Sequence, residues 1–228
     1  MTVTLITGAN KGLGFETARR LIAEGHTVYM GARDVTRGEA AASGLGGQFV
    51  QLDVTEDASV GHALSVIDQR EGRLDVLVNN AGISAGAEVT GPVAQEVFDT
   101  NAIGLIRVTQ AALPLLQKSE NPVVVNVSSA LGSFWAVTNP ERRQFHFPSI
   151  VYGASKAAVS MLTVQYAKTY PDIKVNAVEP GFTATELTPF SSAGQPVEVG
   201  AEVIVRMATI GKDGPTGTFQ ENEEELAW

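Results

Sequence analysis

Tyr152 and Lys156 stand four positions apart in the stretch "FHFPSIVYGASK", a spacing that puts both side chains on one face of a helix. A phenol ionises near pH ~10, too high for easy proton exchange at neutrality. Lowering that value by roughly three units takes about 4 kcal/mol of extra tyrosinate stabilisation, and a cation within about 4–6 Å typically supplies one to three units. Such a pair is suited to giving a proton to a reacting oxygen, or to taking one away. Tyr-x-x-x-Lys also occurs in ordinary helices, so the pair gains chemical meaning only if the chain builds a site around it. The approach to it, aromatic at Phe145 and Phe147 and broken by Pro148, is irregular.

Elements able to position the pair follow from hydrophobic pattern. Short apolar runs rich in β-branched residues recur at 3–7, 27–30, 48–52, 76–78, 123–127 and 175–178, as strands buried on both faces would. Between them helical patterns cover 12–24, 36–43, 58–70, 95–118 and 152–169. Strict alternation predicts an α/β fold with a doubly wound parallel sheet and helices on both faces, because parallel neighbours need crossover connections. A last strand at 218–220 is weakly signalled. No repeat, low-complexity tract or long linker divides the chain, so one domain is expected over residues 1–228.

Composition excludes several other chemistries. With 228 residues and 44% hydrophobic content the chain can bury one sizeable core, and the absence of cysteine removes disulfides, thiolate catalysis and cysteine metal sites. His26, His62 and His146 are scattered without a carboxylate cluster, so no metal is expected; His146, near the pair, reads as a surface histidine. A net charge of −9 argues against nucleic acid as a partner, and the acids Glu221, Glu223, Glu224 and Glu225 read as a solvated tail. No apolar run reaches the ~18 residues of a membrane span and no signal-like opening is present, so a cytoplasmic protein that does not bind membranes is expected.

The first strand runs into "TGANKGLG", with Gly8, Gly12 and Gly14 at the strand-to-helix junction. Glycine permits the tight turn and close backbone approach, and unpaired N–H groups at the helix start favour a pyrophosphate. No Lys-Ser/Thr follows the last glycine, so this is no Walker loop. The loop resembles the cofactor loop of the short-chain dehydrogenase/reductase family. Further matches follow in order along nearly the whole chain: "LDV" at 52–54, "NNAG" at 79–82, "NAIG" at 101–104, "NVSSALG" at 126–132, "YGASK" at 152–156 and "PGFTAT" at 180–185. Each is weak alone, but their joint order is specific.

The resemblance implies a Rossmann fold and a nicotinamide cofactor. It assigns cofactor contacts to Gly8, Asn10, Lys11, Gly12, Leu13 and Gly14, to Arg33, Asp53 and Val54, and to Asn80, Ala81 and Gly82. Tyr152, Lys156, Pro180, Gly181, Thr183 and Thr185 complete that set. Within it Asp53 is implied to meet the adenine amine, Asn80 and Gly82 the nicotinamide ribose side, and Thr183 and Thr185 the carboxamide or diphosphate. The implied catalytic residues are Asn101, Ser129, Tyr152 and Lys156. A serine three residues before Gly132 selects Ser129 over Ser128, which reads as structural. Asn101 would hold a water linking the lysine to solvent, with a local helix kink exposing the carbonyl this needs.

NADP(H) is preferred over NAD(H) from "GARD" after the second strand: Ala32 takes the position of the usual acid, and Arg33 with Lys11 suits a 2′-phosphate. Asp34, the competing NAD signal, reads as a helix cap. The likeness is nearest to NADPH-dependent carbonyl reductases, through "GANKGLG", "GARDVTRG" and the ending "PTGTFQENEEELAW", and implies a small-molecule carbonyl substrate. The interval before Tyr152 is extended at about 133–149. Phe134, Trp135, Phe145 and Phe147 in it, with Phe182 and Phe190 in the loop after the sixth strand, are candidates for an apolar pocket or for loop anchors, and the segment at about 183–195 in that loop reads as a lid. The extension could also cover a helix through which family members associate, so a monomer is preferred over a homodimer or homotetramer. Two other functions share these residues: a cofactor-sensing protein without turnover, and an NADP-dependent alcohol dehydrogenase working oxidatively.

Overall fold

The computed structural model describes residues 1–86, 89–187, 193–222 and 224–228; Phe190 and Glu223 lie outside them. Seven strands, β1 (Val3–Thr7), β2 (Thr27–Ala32), β3 (Gln48–Gln51), β4 (Val76–Asn79), β5 (Val123–Val127), β6 (Lys174–Val178) and β7 (Phe219–Gln220), form one sheet in the order β3-β2-β1-β4-β5-β6-β7. Every pair in it is parallel. The weakly signalled last strand is real but short. Its edge is completed by the stacking of Trp228 on Phe219, with ring centroids 5.4 Å apart.

Helices α1 (Gly12–Ala23), α2 (Val35–Leu45), α3 (Asp57–Glu71), α4 (Gly91–Phe98), α5 (Gly104–Leu116), α6 (Phe134–Thr138), α7 (Ile150–Thr169) and α8 (Val197–Ala208) connect the strands. Leu64 and Ile67 of α3, Val108 and Leu116 of α5 and Val159 of α7 pack into one core; Leu21 of α1, Ala42 of α2 and Ile204 of α8 pack into the other. The sheet between them is covered on both faces, as its near-continuous apolar strands require. Strand order reverses at β1 and β4, which opens a crevice at their C-terminal ends.

Three elements differ from what the sequence pattern predicts, the first being the short α6, which lies within the extension at 133–149. The pattern at 95–118 is not one helix: a π-helical turn at Asp99–Ile103 separates α4 from α5. Helix α8 is not among the predicted helices, because "VEVGAEVIVRMA" is rich in β-branched residues that weaken helix propensity. Burial of Ala201, Val203, Ile204, Met207 and Ala208 overrides that weakness.

Candidate active site

The glycine turn sits at the reversal of strand order. Gly8 has φ 65°, a left-handed conformation that suits glycine, and a side chain at Gly14 would put its Cβ 2.5 Å from Asn80 Nδ2 and 2.6 Å from the Gly8 carbonyl. Asn80 donates from Nδ2 to the carbonyls of Thr7 (2.9 Å) and Gly8 (3.1 Å), so β4 holds the turn of β1 in place. Helix α1 begins at Lys11 with no side-chain cap, leaving its first N–H groups and positive dipole end facing the crevice.

A cleft of about 1800 Å³ opens there. Gly8, Asn10, Lys11, Gly12, Leu13, Arg33, Asp53, Val54, Asn80, Ala81, Gly82, Ser129, Tyr152, Lys156, Pro180, Gly181, Thr183 and Thr185 all line it, and so do Phe147 and Phe182. Thus residues spread over most of the sequence meet in one cavity. Gly14 and Asn101 stand behind its wall as packing and pinning residues.

Two readings are open for Phe134 and Trp135, pocket residue or loop anchor, and neither residue is among those lining the cleft. Phe134 is 74% exposed. Trp135 lies under the Arg142 guanidinium at 5.3 Å, and its backbone N–H donates to the Trp228 carbonyl at 3.1 Å. Arg142 also pairs with Glu221 at 2.9 Å, and the Ser133 hydroxyl donates to the Ala227 carbonyl at 2.7 Å. The first part of the extension is therefore tied to the C-terminal segment, while Arg143, Gln144, Phe147 and Ser149 in its second part line the cleft. Phe145 packs edge-to-face on His146, and both are exposed.

Helix α7 supplies Tyr152 and Lys156, and the turn after β5 supplies Ser129. Lys156 is 4% exposed and its Nζ donates to the Val127 carbonyl at 2.7 Å, 5.6 Å from the centre of the Tyr152 ring. Burial pulls its ammonium down to about 8, against the nearby Glu179 charge. The Tyr152 phenol moves up, not down as the lysine spacing alone predicts. Burial is the main cause, the Glu179 charge adds to it, and a hydrogen bond with Ser129 opposes it. Lys156 is not among the groups that shift it, and Tyr152 stays protonated at neutral pH.

Ser129 caps a short 3-10 turn, its hydroxyl accepting from the Leu131 N–H at 3.3 Å. Ser128 is buried and donates to the Lys156 carbonyl at 3.2 Å, a structural bond that braces α7. Asn101 lies in the π-helical turn, 2% exposed, where its Oδ1 accepts from Ile83 N–H at 2.8 Å and its Nδ2 donates to the Ile83 carbonyl and to Ser155 Oγ, both at 3.0 Å. It joins the loop after β4 to α7. A Cβ added at Gly82 would stand 3.4 Å from Asn101 Oδ1 and 3.6 Å from Lys156 Nζ, so these three residues converge.

After β3, Asp53 accepts from Thr55 N–H (3.0 Å) and hydroxyl (2.7 Å), which fixes its loop. Asp34 caps α2 by accepting from Arg37 N–H at 2.9 Å, the role expected of it. Arg33 is exposed and has no ion-pair partner among the described residues. Lys11 is paired with the Glu186 carboxylate across the cleft mouth. The ends of the 183–195 segment are tied by Ala184 N–H to the Gln195 carbonyl (2.9 Å) and Gln195 N–H to the Phe182 carbonyl (2.8 Å). Sequence reasoning overlooked Gln195, Glu186 and Glu179. Glu179 alone carried a signal, as a carboxylate directly after a strand at the sheet edge where ligands bind. No helix among the described residues is long and apolar enough to cross a membrane, and no three His, Asp or Glu among them could hold a metal ion.

Comparison with known proteins agrees with this architecture. Residues 2–196 match the family model for short chain dehydrogenase. The chain is 32% identical to (-)-isopiperitenone reductase of Mentha piperita, over 98% of this chain and 97% of that one, and 31% identical to salutaridine reductase of Papaver bracteatum, over 100% and 96%. Among solved structures it superposes on NADPH-bound carbonyl reductase from chicken fatty liver with a TM-score of 0.86, at 26% identity over 100% of both chains. Salutaridine reductase from Papaver somniferum gives a TM-score of 0.83 at 30% identity, over 96% of this chain and 99% of that one.

Proposed function

The chain belongs to the short-chain dehydrogenase family, and from that premise we propose that it is an NADP(H)-dependent oxidoreductase that reduces an aldehyde or ketone to an alcohol, with Tyr152 as proton donor. The observation that carries this reading is the convergence of Ser129, Tyr152 and Lys156 on a cleft that also holds the glycine turn. The residues present suit the cofactor: the cradle at Gly14 admits no side chain, the start of α1 is uncapped, and Arg33 stands unpaired among the described residues at the end of β2. NADP(H) bound there supplies the hydride.

The chain's own residues do the rest. Ser129 donates a hydrogen bond to the substrate oxygen and stabilises the charge that develops on it. Tyr152 gives its proton to that oxygen; burial raises its pKa and keeps it in the acid form at neutral pH. Lys156, held by the Val127 carbonyl, meets the nicotinamide ribose and restores the proton. Arg33, with Lys11 once released from Glu186, receives the 2′-phosphate. Phe147 and Phe182 offer the substrate an apolar surface. Support for carbonyl reduction comes from the likeness to the carbonyl reductase from chicken fatty liver, whose structure holds NADPH. A monomer in the cytoplasm is part of the same proposal, and light scattering tests the former.

The deciding experiment is an NADPH-oxidation screen over aldehydes, aromatic ketones, quinones and steroids. Turnover by the wild type, lost by at least ~10²-fold in Tyr152→Phe with NADPH affinity retained, is the expected result. Silence across every carbonyl would replace this reading with a cofactor sensor.

A further inference from the structure

Glu179 follows β6 directly and faces the catalytic serine. It is 8% exposed, its backbone N–H donates to the Gln220 carbonyl at 2.8 Å, and its carboxylate accepts from the Ala130 N–H. The Gly181 N–H and the Ser129 hydroxyl also act on this carboxyl, and the Ser129 hydroxyl on the Tyr152 phenol, each lowering the pKa of the acid it faces. Ala130, whose N–H the carboxylate holds, is the neighbour of Ser129 in the turn, and Tyr152, Ser129 and Glu179 all line the cleft.

We propose that Glu179 is a positioning residue that decides which way Ser129 points its proton, so that the site is competent for carbonyl reduction only while Glu179 is protonated. The reason lies in the donors and acceptors available. A protonated carboxyl donates to Ser129 Oγ and frees the serine hydrogen for the substrate oxygen. An ionised carboxylate can only accept, and it draws the serine hydrogen to itself. The substrate oxygen then loses its second donor, and a negative charge stands near the oxygen on which charge develops.

Burial raises the Glu179 carboxyl to about 7, with the Glu221 charge adding to the rise and bonds from Ala130, Gly181 and Ser129 opposing it. The charged and titratable groups around it are Tyr152 and Lys156 on α7, Glu221 beyond β7, and Arg142 of the extension, which Glu221 already holds. Lys156, near 8, is the other group that titrates in the same range.

This inference rests on the reductase reading, and its test separates the two. The probe reaction is NADPH-dependent reduction of 4-nitrobenzaldehyde. Between pH 6 and pH 8 the protonated fraction of a group at about 7 falls about tenfold and of one at about 8 about twofold, so wild-type kcat/KM should fall about 20-fold. Glutamine at 179 keeps a permanent donor for Ser129 and an acceptor for Ala130, so Glu179→Gln should fall only about twofold, as Lys156 alone dictates. Parallel losses in the two proteins would overturn the inference and leave the reductase reading intact; so would a Glu179→Gln protein that binds NADPH but is inactive at every pH. A second readout needs no turnover: the infrared difference between wild type and Glu179→Gln should contain a protonated carboxyl band at pH 6 that is gone at pH 8. A carboxylate at both values would overturn it even if no carbonyl were reduced.

Discussion

Replacing Gly132 by alanine should damage catalysis without touching any reacting group. A Cβ there would lie 2.4 Å from the Lys156 carbonyl carbon, 2.5 Å from Ala157 N and 2.8 Å from Lys156 Cβ. Ordinary contacts begin near 3.4 Å, so the turn carrying Ser129 must move about 1 Å away from α7, or α7 must move. Backbone atoms form most of that contact, and no rotamer change relieves it. Overpacking of this kind costs about 1–3 kcal/mol of stability. Catalysis should suffer more, because Ser129 rides on the turn and Tyr152 on α7; a misplacement of about 1 Å between positioned groups can cost on the order of 10²-fold in rate. Affinity for NADPH, set largely at the glycine turn beside β1 and β4, should change far less. Urea unfolding, NADPH titration and steady-state kinetics of Gly132→Ala read these three quantities. The control is Gly61→Ala, an exposed position within α3 where an added Cβ meets nothing within 4 Å, which should stabilise by up to ~1 kcal/mol. A Gly132→Ala protein with wild-type stability and kcat would refute the claim that close approach of turn and helix sets the site.

Arg33→Ala should weaken NADPH binding by roughly 10- to 100-fold, the equivalent of about 1.5–3 kcal/mol for lost charge-assisted bonds, and leave NADH binding nearly unchanged; equal losses for both would remove Arg33 from the 2′-phosphate site. Asp34→Ala should cost about 1 kcal/mol by uncapping α2 while the ratio of NADPH to NADH affinity stays as it is, and a ratio shifted towards NADPH would restore Asp34 as a cofactor acid. His26, partly buried with a ring nitrogen 2.9 Å from Thr4 Oγ1, has its pKa lowered by burial. The unfolded chain therefore binds this proton first, and the stability present above pH about 6.5 is lost as pH falls below it. Unfolding free energies of wild type and His26→Gln, followed from pH 7.5 to 5, should diverge with the wild type losing more; parallel curves would contradict this.

Features that depend on neighbours in the chain are legible in the sequence itself. The alternation of apolar strands and amphipathic helices specifies a doubly wound sheet because each period dictates which face is buried. The glycine turn and the Tyr152–Lys156 pair depend on spacing alone, and so does the cap at Asp34. The kink at Asn101 is implied by the family resemblance alone, because the helical pattern runs unbroken over 95–118. Features that depend on burial and on distant partners were decided only by tertiary packing. It turned "VEVGAEVIVRMA" into a helix against its own propensity, and it drew Phe134 and Trp135 away from the cleft through bonds to the last residues of the chain. It also moved the Tyr152 pKa up where the lysine spacing predicts a fall, because burial in the assembled wall and the Glu179 charge both raise it. Glu179 is an unremarkable acid before a proline until β6 and the turn after β5 lie side by side and bring it against Ser129. Proton affinity is set by everything packed around a group in space, and a one-dimensional spacing records only the part contributed by its own element.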